Sequence, residues 1–274
     1  LIISSLLLSL AVQISPPCGA KAFIVAGQSN ASGRGSLTGA PSDLTTTNPH
    51  IYLYGNDQAW SYAVEPIDSA TGQIDNVTKD SQAAVGPGMA FALRYLELHP
   101  GADVVLIPCA TGGKTIHEMR RGDLIISRVY GACDIKVRAV LDAGVELGGI
   151  IWWQGEADAQ DPAADPPTSG NSIYAQPLTY ADELVRMVRI WRADYADPLL
   201  PVVVVQLGPT TYTDRPYWST VQDQQALAVS RLPRAGLVTA SDMTIFDAVH
   251  LDTASQVVIG GRIAEAMTAL EWEP

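Results

Sequence analysis

A serine, a carboxylate and a histidine of the types that carry acyl transfer lie near opposite ends of this 274-residue chain. Ser29 stands in Gly27-Gln28-Ser29-Asn30, directly after the apolar run Phe23-Ile24-Val25-Ala26, where a buried strand must already have turned. His250 closes Asp247-Ala248-Val249-His250, just ahead of the last helical stretch. A histidine oriented by a carboxylate takes the proton from a serine hydroxyl and later returns it to a leaving group. The Asp-x-x-His spacing supplies base and orienting acid from one short turn. Each piece alone also has an ordinary reading. Gly27 and Asn30 suit a turn with Ser29 as a helix N-cap, and a lone histidine is more often a surface or cap residue. Of the four histidines, only His250 has both an acid at short range and a position after a strand. His117, close to Gly112-Gly113, is the reserve candidate.

Two further stretches bear on the same chemistry. Ala110-Thr111-Gly112-Gly113-Lys114 follows a second apolar strand, and its glycines leave backbone N–H groups open to a developing oxyanion; a glycine turn needed only for positive φ looks the same. Trp152-Trp153-Gln154-Gly155-Glu156-Ala157-Asp158 ends a third strand. There the Gln154 side-chain amide could serve the same oxyanion, and the tryptophans could offer sugar-stacking faces. Glu156 could orient neighbouring loops or replace Asp247 behind His250, and Asp158 reads as solvated.

Positioning these groups requires strands that end together. Apolar runs at 22–26, 103–108, 149–153, 201–207 and 236–240 alternate with helical periodicity at 88–98, 124–143, 180–195, 218–231 and 253–270. Such alternation predicts a parallel sheet with helices on both faces, whose strand carboxyl ends hold the ligand. Two polar segments, 33–85 (with a hairpin-like element at 51–54 and 60–64) and 157–179, interrupt the alternation. They read either as walls of a cleft or as plain surface insertions.

Composition excludes other classes. The net charge is −12 and no cationic run exceeds Arg120-Arg121, so neither nucleic acid nor an anionic membrane is an expected partner. Residues 1–20 read as a signal peptide, with an apolar run at 1–12 and small residues before Lys21, which predicts a secreted or periplasmic protein with one domain over 21–274. The apolar run is too short to span a bilayer. Without that leader, Cys109 and Cys133 are the remaining thiols, either a single bridge or two buried free cysteines, and no metal-ligand spacing is present.

The four ordered blocks, Gly-Gln-Ser-Asn, Gly-Gly, Trp-Gln-Gly-Glu and Asp-x-x-His, together resemble the SGNH hydrolase superfamily. The resemblance is to its sialate O-acetylesterase-like branch, which includes the family-six carbohydrate esterases (acetylxylan esterase-like), and it covers nearly the whole mature chain. It implies a three-layer α/β/α sandwich with a five-stranded parallel sheet, no metal or other cofactor, and an acetylated carbohydrate as substrate. By the same resemblance Ser29 is nucleophile, His250 base and Asp247 its partner. The oxyanion hole would comprise the Ser29 N–H, an N–H of Gly112 or Gly113, and Gln154, with Glu156 and Asn30 in support. Lys114 departs from the small hydroxyl residue expected after the glycines. The α/β-hydrolase elbow fits less well, because Ala31 stands where its second glycine belongs. Rival readings are a lipase, lysophospholipase or thioesterase on the same fold, and a catalytically silent carbohydrate-binding relative.

Overall fold

The computed structural model describes residues 14–121, 128–164 and 174–271. The apolar run at 1–12, the start of the helix expected from 124 and part of the 157–179 loop lie outside the described residues.

In chain order the elements are β1 (Lys21–Gly27), α1 (Ser29–Ser32), α2 (Ser42–Thr45), β2 (Ile51–Tyr54), β3 (Trp60–Tyr62), α3 (Gly88–Leu98) and β4 (Val104–Ala110). There follow α4 (Ile116–Met119), α5 (Arg128–Asp142), β5 (Glu146–Trp153), α6 (Tyr180–Asp194), β6 (Val202–Val205), α7 (Trp218–Ser230), β7 (Ala235–Val238) and α8 (Thr253–Glu271). The strands form one sheet in the order β3-β2-β4-β1-β5-β6-β7. The sheet therefore has seven strands, not the expected five. The hairpin-like segment contributes the other two: β2 runs parallel to β4, with Ile51 opposite Val104, and β3 returns antiparallel along the edge.

The three layers follow from strand alternation, since both faces of a mainly parallel sheet are covered. Ala22, Ile24 and Ala26 of β1 join Ile107, Trp152 and Val204 under α5, α6 and α7. Phe23 and Val25 point the other way, with Leu106, Ile151 and Val203, into the core made by α3 and α8. Cys109 at the end of β4 is bonded to Cys133 of α5, with Cα atoms 5.2 Å apart, which settles the two readings of that pair in favour of a bridge. The closed loop spans 24 residues. A loop of that order restricts the unfolded chain by about 3 kcal/mol, so the double Cys109→Ala/Cys133→Ala variant is expected to lose stability of that size in urea unfolding.

β1 lies at the centre, flanked by β4 and β5. Gly27 pairs with Ala110 on one side and Trp153 on the other. The residues that follow each strand, Gln28-Ser29, Thr111-Gly112 and Gln154-Gly155-Glu156, thus leave the sheet at one level. β4 and β5, consecutive in the chain, lie on opposite sides of β1, making this the switch point at which open α/β sheets bind ligands.

Candidate active site

The turn after β1 is dictated by Gly27. Its φ is +139°, and a Cβ there would stand 2.0 Å from the Trp153 carbonyl oxygen, so only glycine lets the chain pass β5. Gln28 is the N-cap residue of α1, without a side-chain cap bond, and Ser29 is the first helical residue. Its hydroxyl donates to His250 Nε2 at 2.8 Å. His250 Nδ1 donates to Asp247 Oδ2 at 2.6 Å. A carboxylate only accepts, so Nδ1 carries the proton and Nε2 is the free base. The N–H groups of Val249 and His250 donate to Asp247 Oδ1 at 2.8 and 2.7 Å, fixing the acid within its own turn.

Asn30 ties this turn to the sheet. It accepts from Leu251 N–H at 3.1 Å and donates to Val249 O at 3.3 Å, gripping the backbone on both sides of His250. Its amide also donates to Glu156 Oε1 at 2.8 Å. Glu156 therefore sits behind Asn30, and the carboxylate on His250 is that of Asp247. Thr211 N–H adds a bond to Ala248 O at 2.9 Å from the loop after β6.

Several expected positions differ. Gln154 is completely buried, and its amide nitrogen donates to Asp158 Oδ2 at 2.7 Å and Lys114 O at 3.0 Å. Gln28 Oε1 is a third acceptor at 3.3 Å, so the two hydrogens of this amide are shared among partners other than Ser29. The reason is Asp158, which is buried rather than solvated and also accepts from the N–H groups of Ile116 and Gln176. Trp152 and Trp153 are 1% exposed and belong to the two cores, so neither offers a face to a sugar. The Gly112 N–H donates to Asp80 Oδ2 at 3.0 Å and is not open to an oxyanion, whereas Gly113 lines the cleft. His117 contacts Gln176 and stacks on Tyr174, away from the cleft lining. Lys114 pairs with Glu118 at 3.1 Å, so the unexpected lysine does not occupy the cleft.

Sequence reasoning missed Arg34 and Asp80. They form a buried ion pair at 2.6 Å, and Asp80 also accepts from Ser32 Oγ. A Cβ on Gly112 would lie 2.9 Å from Arg34 Nη2 and 3.6 Å from Ser29 Cβ, so the pair packs against the Ser29 turn with no room for a side chain at Gly112. Together these residues, with Gln28, Lys79, Gln160 and Arg215, line a cleft of about 540 Å3. The 33–85 segment supplies one wall through Arg34 and 79–82, and the described part of the second segment supplies Ala157 and Gln160.

Charge in the site is set by burial against hydrogen bonding. Burial acts to raise the Asp247 carboxyl, but the two N–H donors and then the imidazole hold it below the usual carboxylate range. Asp80 is likewise lowered, its burial outweighed by Arg34 and Ser32. Glu156 and Asp158 are each pushed by burial up to about 7, and Glu65, buried beneath the first wall, to about 8. A carboxyl with a raised folded value binds its proton more tightly folded than unfolded. Its contribution is full below the unfolded value and is lost as pH rises through the folded one. The melting temperature is therefore expected to fall as pH rises from about 4.5 to about 8 and to level off above that, while Asp80 and Asp247 influence stability only in acid. A level Tm across that range in calorimetry would contradict these assignments.

A family model described as carbohydrate esterase, sialic acid-specific acetylesterase, matches residues 19–269. A probable carbohydrate esterase of Arabidopsis thaliana is 29% identical over 262 residues, covering 89% of this chain and 88% of that one. A solved Arabidopsis thaliana structure aligns with a TM-score of 0.76 at 26% identity, over 92% of this chain and 99% of that one. A carbohydrate acetylesterase from Xanthomonas citri shares the fold, with a TM-score of 0.65 at 18% identity, over 91% of this chain and 56% of that one. The match over nearly the whole chain, on a sheet whose central strand ends two residues before Ser29, identifies a member of the sialic acid-specific acetylesterase family of SGNH-type carbohydrate esterases.

Proposed function

We propose that this carbohydrate esterase removes O-acetyl groups from sugar hydroxyls through an acyl-Ser29 intermediate. The observation that carries the reading is the continuous relay Ser29 Oγ, His250 Nε2, His250 Nδ1, Asp247 Oδ2, with links of 2.8 and 2.6 Å, at the base of an open polar cleft. Ser29 Oγ attacks the acyl carbon as its proton passes to His250 Nε2. Collapse of the tetrahedral intermediate expels the sugar oxygen, which takes that proton. Water then attacks the acyl-serine, gives one proton to His250, and acetate leaves as Ser29 recovers its hydrogen. Asp247 stays ionised throughout, holding Nδ1 and balancing the imidazolium.

The cleft wall favours a polyol over a lipid. Arg34, Lys79, Asp80, Gln82, Gln160 and Arg215 line it, and such groups suit hydroxyl-rich substrates better than a long acyl chain. The Cys109–Cys133 bridge supports an oxidising compartment and hence the secreted or periplasmic reading.

The deciding experiment measures acetate released from acetylated xylan, acetylated monosaccharides and O-acetyl sialic acid, with Ser29→Ala protein as blank. Serine-dependent release from one sugar class establishes the reaction and its substrate together. Cleavage of p-nitrophenyl octanoate with no release from any sugar moves the reading to a lipid esterase. Sugar binding without turnover identifies a silent relative.

A further inference from the structure

A pyranose has two kinds of surface, hydroxyls around its rim and C–H groups on its faces. The polar wall of the cleft serves the first. The second calls for an aromatic ring, because C–H groups present partial positive charge and the face of a π-system is negative. Trp152 and Trp153 lie in the cores and cannot supply that face. Among the described residues, Tyr174, Tyr212 and Phe246 are the exposed tyrosine, tryptophan and phenylalanine side chains, at 39%, 37% and 57%. Only Tyr212 of these lines the cleft, together with Ser29 and His250.

Tyr212 is also held in place. The guanidinium of Arg215 stands over one face of its ring, 4.7 Å from the centroid. Arg215 is itself only 14% exposed and is paired with Asp214 at 3.1 Å. The Tyr212 N–H donates to Thr210 Oγ1 at 3.0 Å, and that hydroxyl donates to Ala248 O, also at 3.0 Å. Ala248 directly follows Asp247, so the loop is fastened to the turn that carries Asp247 and His250. Further along, the Tyr217 N–H donates to Ala159 O at 3.1 Å, which ties the same loop to the second wall. The ring is thus fixed relative to His250 before substrate arrives. The cation takes one of its two faces, and more than a third of the residue stays exposed with Arg215 in place.

We propose that Tyr212 is a specificity-determining residue: the free face of its ring stacks on the pyranose that carries the acetyl group and so presents the ester carbonyl to Ser29. Arg215 is a positioning residue that acts through the ring. A stacked sugar loses its freedom to turn, which keeps the acetyl group within reach of the Ser29 hydroxyl. The stacking contact is made alike in the ground state and the transition state, so it acts on KM rather than on kcat.

This assignment rests on the carbohydrate reading, and one comparison separates the two. Acetate release is measured from ethyl acetate, whose leaving group has no ring, and from acetylated xylo-oligosaccharide, acetylated methyl glucoside and O-acetyl sialic acid. For the sugar that the unaltered protein hydrolyses fastest, Tyr212→Ala is expected to raise KM about tenfold, with kcat changed by less than about threefold. Preference for that sugar over ethyl acetate then falls about tenfold, and Tyr212→Phe, which keeps the ring, retains it. In Ser29→Ala protein, which binds without turnover, adding Tyr212→Ala should weaken the calorimetric affinity for the same sugar by the same factor. A residue that merely shaped the loop would lower turnover of both esters alike. Should Tyr212→Ala fail to fold, Tyr212→Leu, which keeps bulk without a π-face, carries the same test. Unaltered protein that hydrolyses ethyl acetate and none of the sugars removes the carbohydrate reading itself. Sugar turnover whose preference is unchanged in a folded Tyr212→Ala or Tyr212→Leu protein, or is lost as fully in Tyr212→Phe, overturns the stacking role of Tyr212 alone.

Discussion

Ser29→Ala is expected to lower kcat for an acetyl ester by at least about 10⁴-fold while leaving the fold and substrate affinity close to those of the unaltered chain. Ser29 and His250 both line the cleft, and the hydroxyl is the group placed to attack, with His250 Nε2 2.8 Å away to take its proton. The residual rate would come from whatever holds the ester and its oxyanion. Stability should change little. Ser29 is not the N-cap of α1; that place belongs to Gln28, which makes no side-chain cap bond, so the hydroxyl does not support the helix. This separates the two readings that Gly-Gln-Ser-Asn carries in sequence. A capping serine would cost roughly 1 kcal/mol on replacement and leave turnover alone. A nucleophile does the reverse. Steady-state kinetics with p-nitrophenyl acetate beside thermal melting distinguishes them, and an alanine variant within tenfold of the parent rate would end the acyl-serine account.

Much of this arrangement is legible in sequence because it depends on strand ends. The apolar runs at 22–26, 103–108 and 149–153 become β1, β4 and β5, the three central strands, so the polar residues that terminate them must meet. Ser29 and His250 are 221 positions apart and converge for that reason. Burial within a polar block is less legible. Asp158 follows Glu156 in a stretch that reads as a solvated loop, yet it is buried, receiving Gln154 Nε2 and two backbone N–H groups. No periodicity signals such a network, because each donor comes from a different segment. Gln154 is misread for the same reason: its residue type suits an oxyanion donor, and only its partners show where the hydrogens go. Trp152 and Trp153 look like a platform but continue β5, whose alternation sends one into each core. Arg34 and Asp80 are 46 residues apart in a segment without pattern, and their pairing depends on the path of the chain around β2 and β3. The one available signal was the position of Arg34, five residues beyond Ser29 and directly after a glycine.

Asp247→Asn is the second large effect, with kcat expected to fall about 10⁴-fold and KM little changed. The substitution keeps an oxygen for the Val249 and His250 N–H groups, so the turn is preserved. What changes is the atom facing Nδ1. An amide NH2 there donates, forcing Nδ1 to accept and moving the ring proton to Nε2. His250 would then point an N–H at Ser29 Oγ and could not take its proton. The imidazolium of the transition state would also lose its neighbouring negative charge. Raising the pH cannot restore activity, since the tautomer rather than the charge of the ring is wrong. Glu156 cannot take over, because one of its oxygens is held by Asn30 Nδ2 at 2.8 Å and Asn30 separates it from the His250 turn. If Asp247→Asn kept most of its turnover while Glu156→Gln lost it, the acid behind His250 would be Glu156, and the 2.6 Å contact to Asp247 would be structural only.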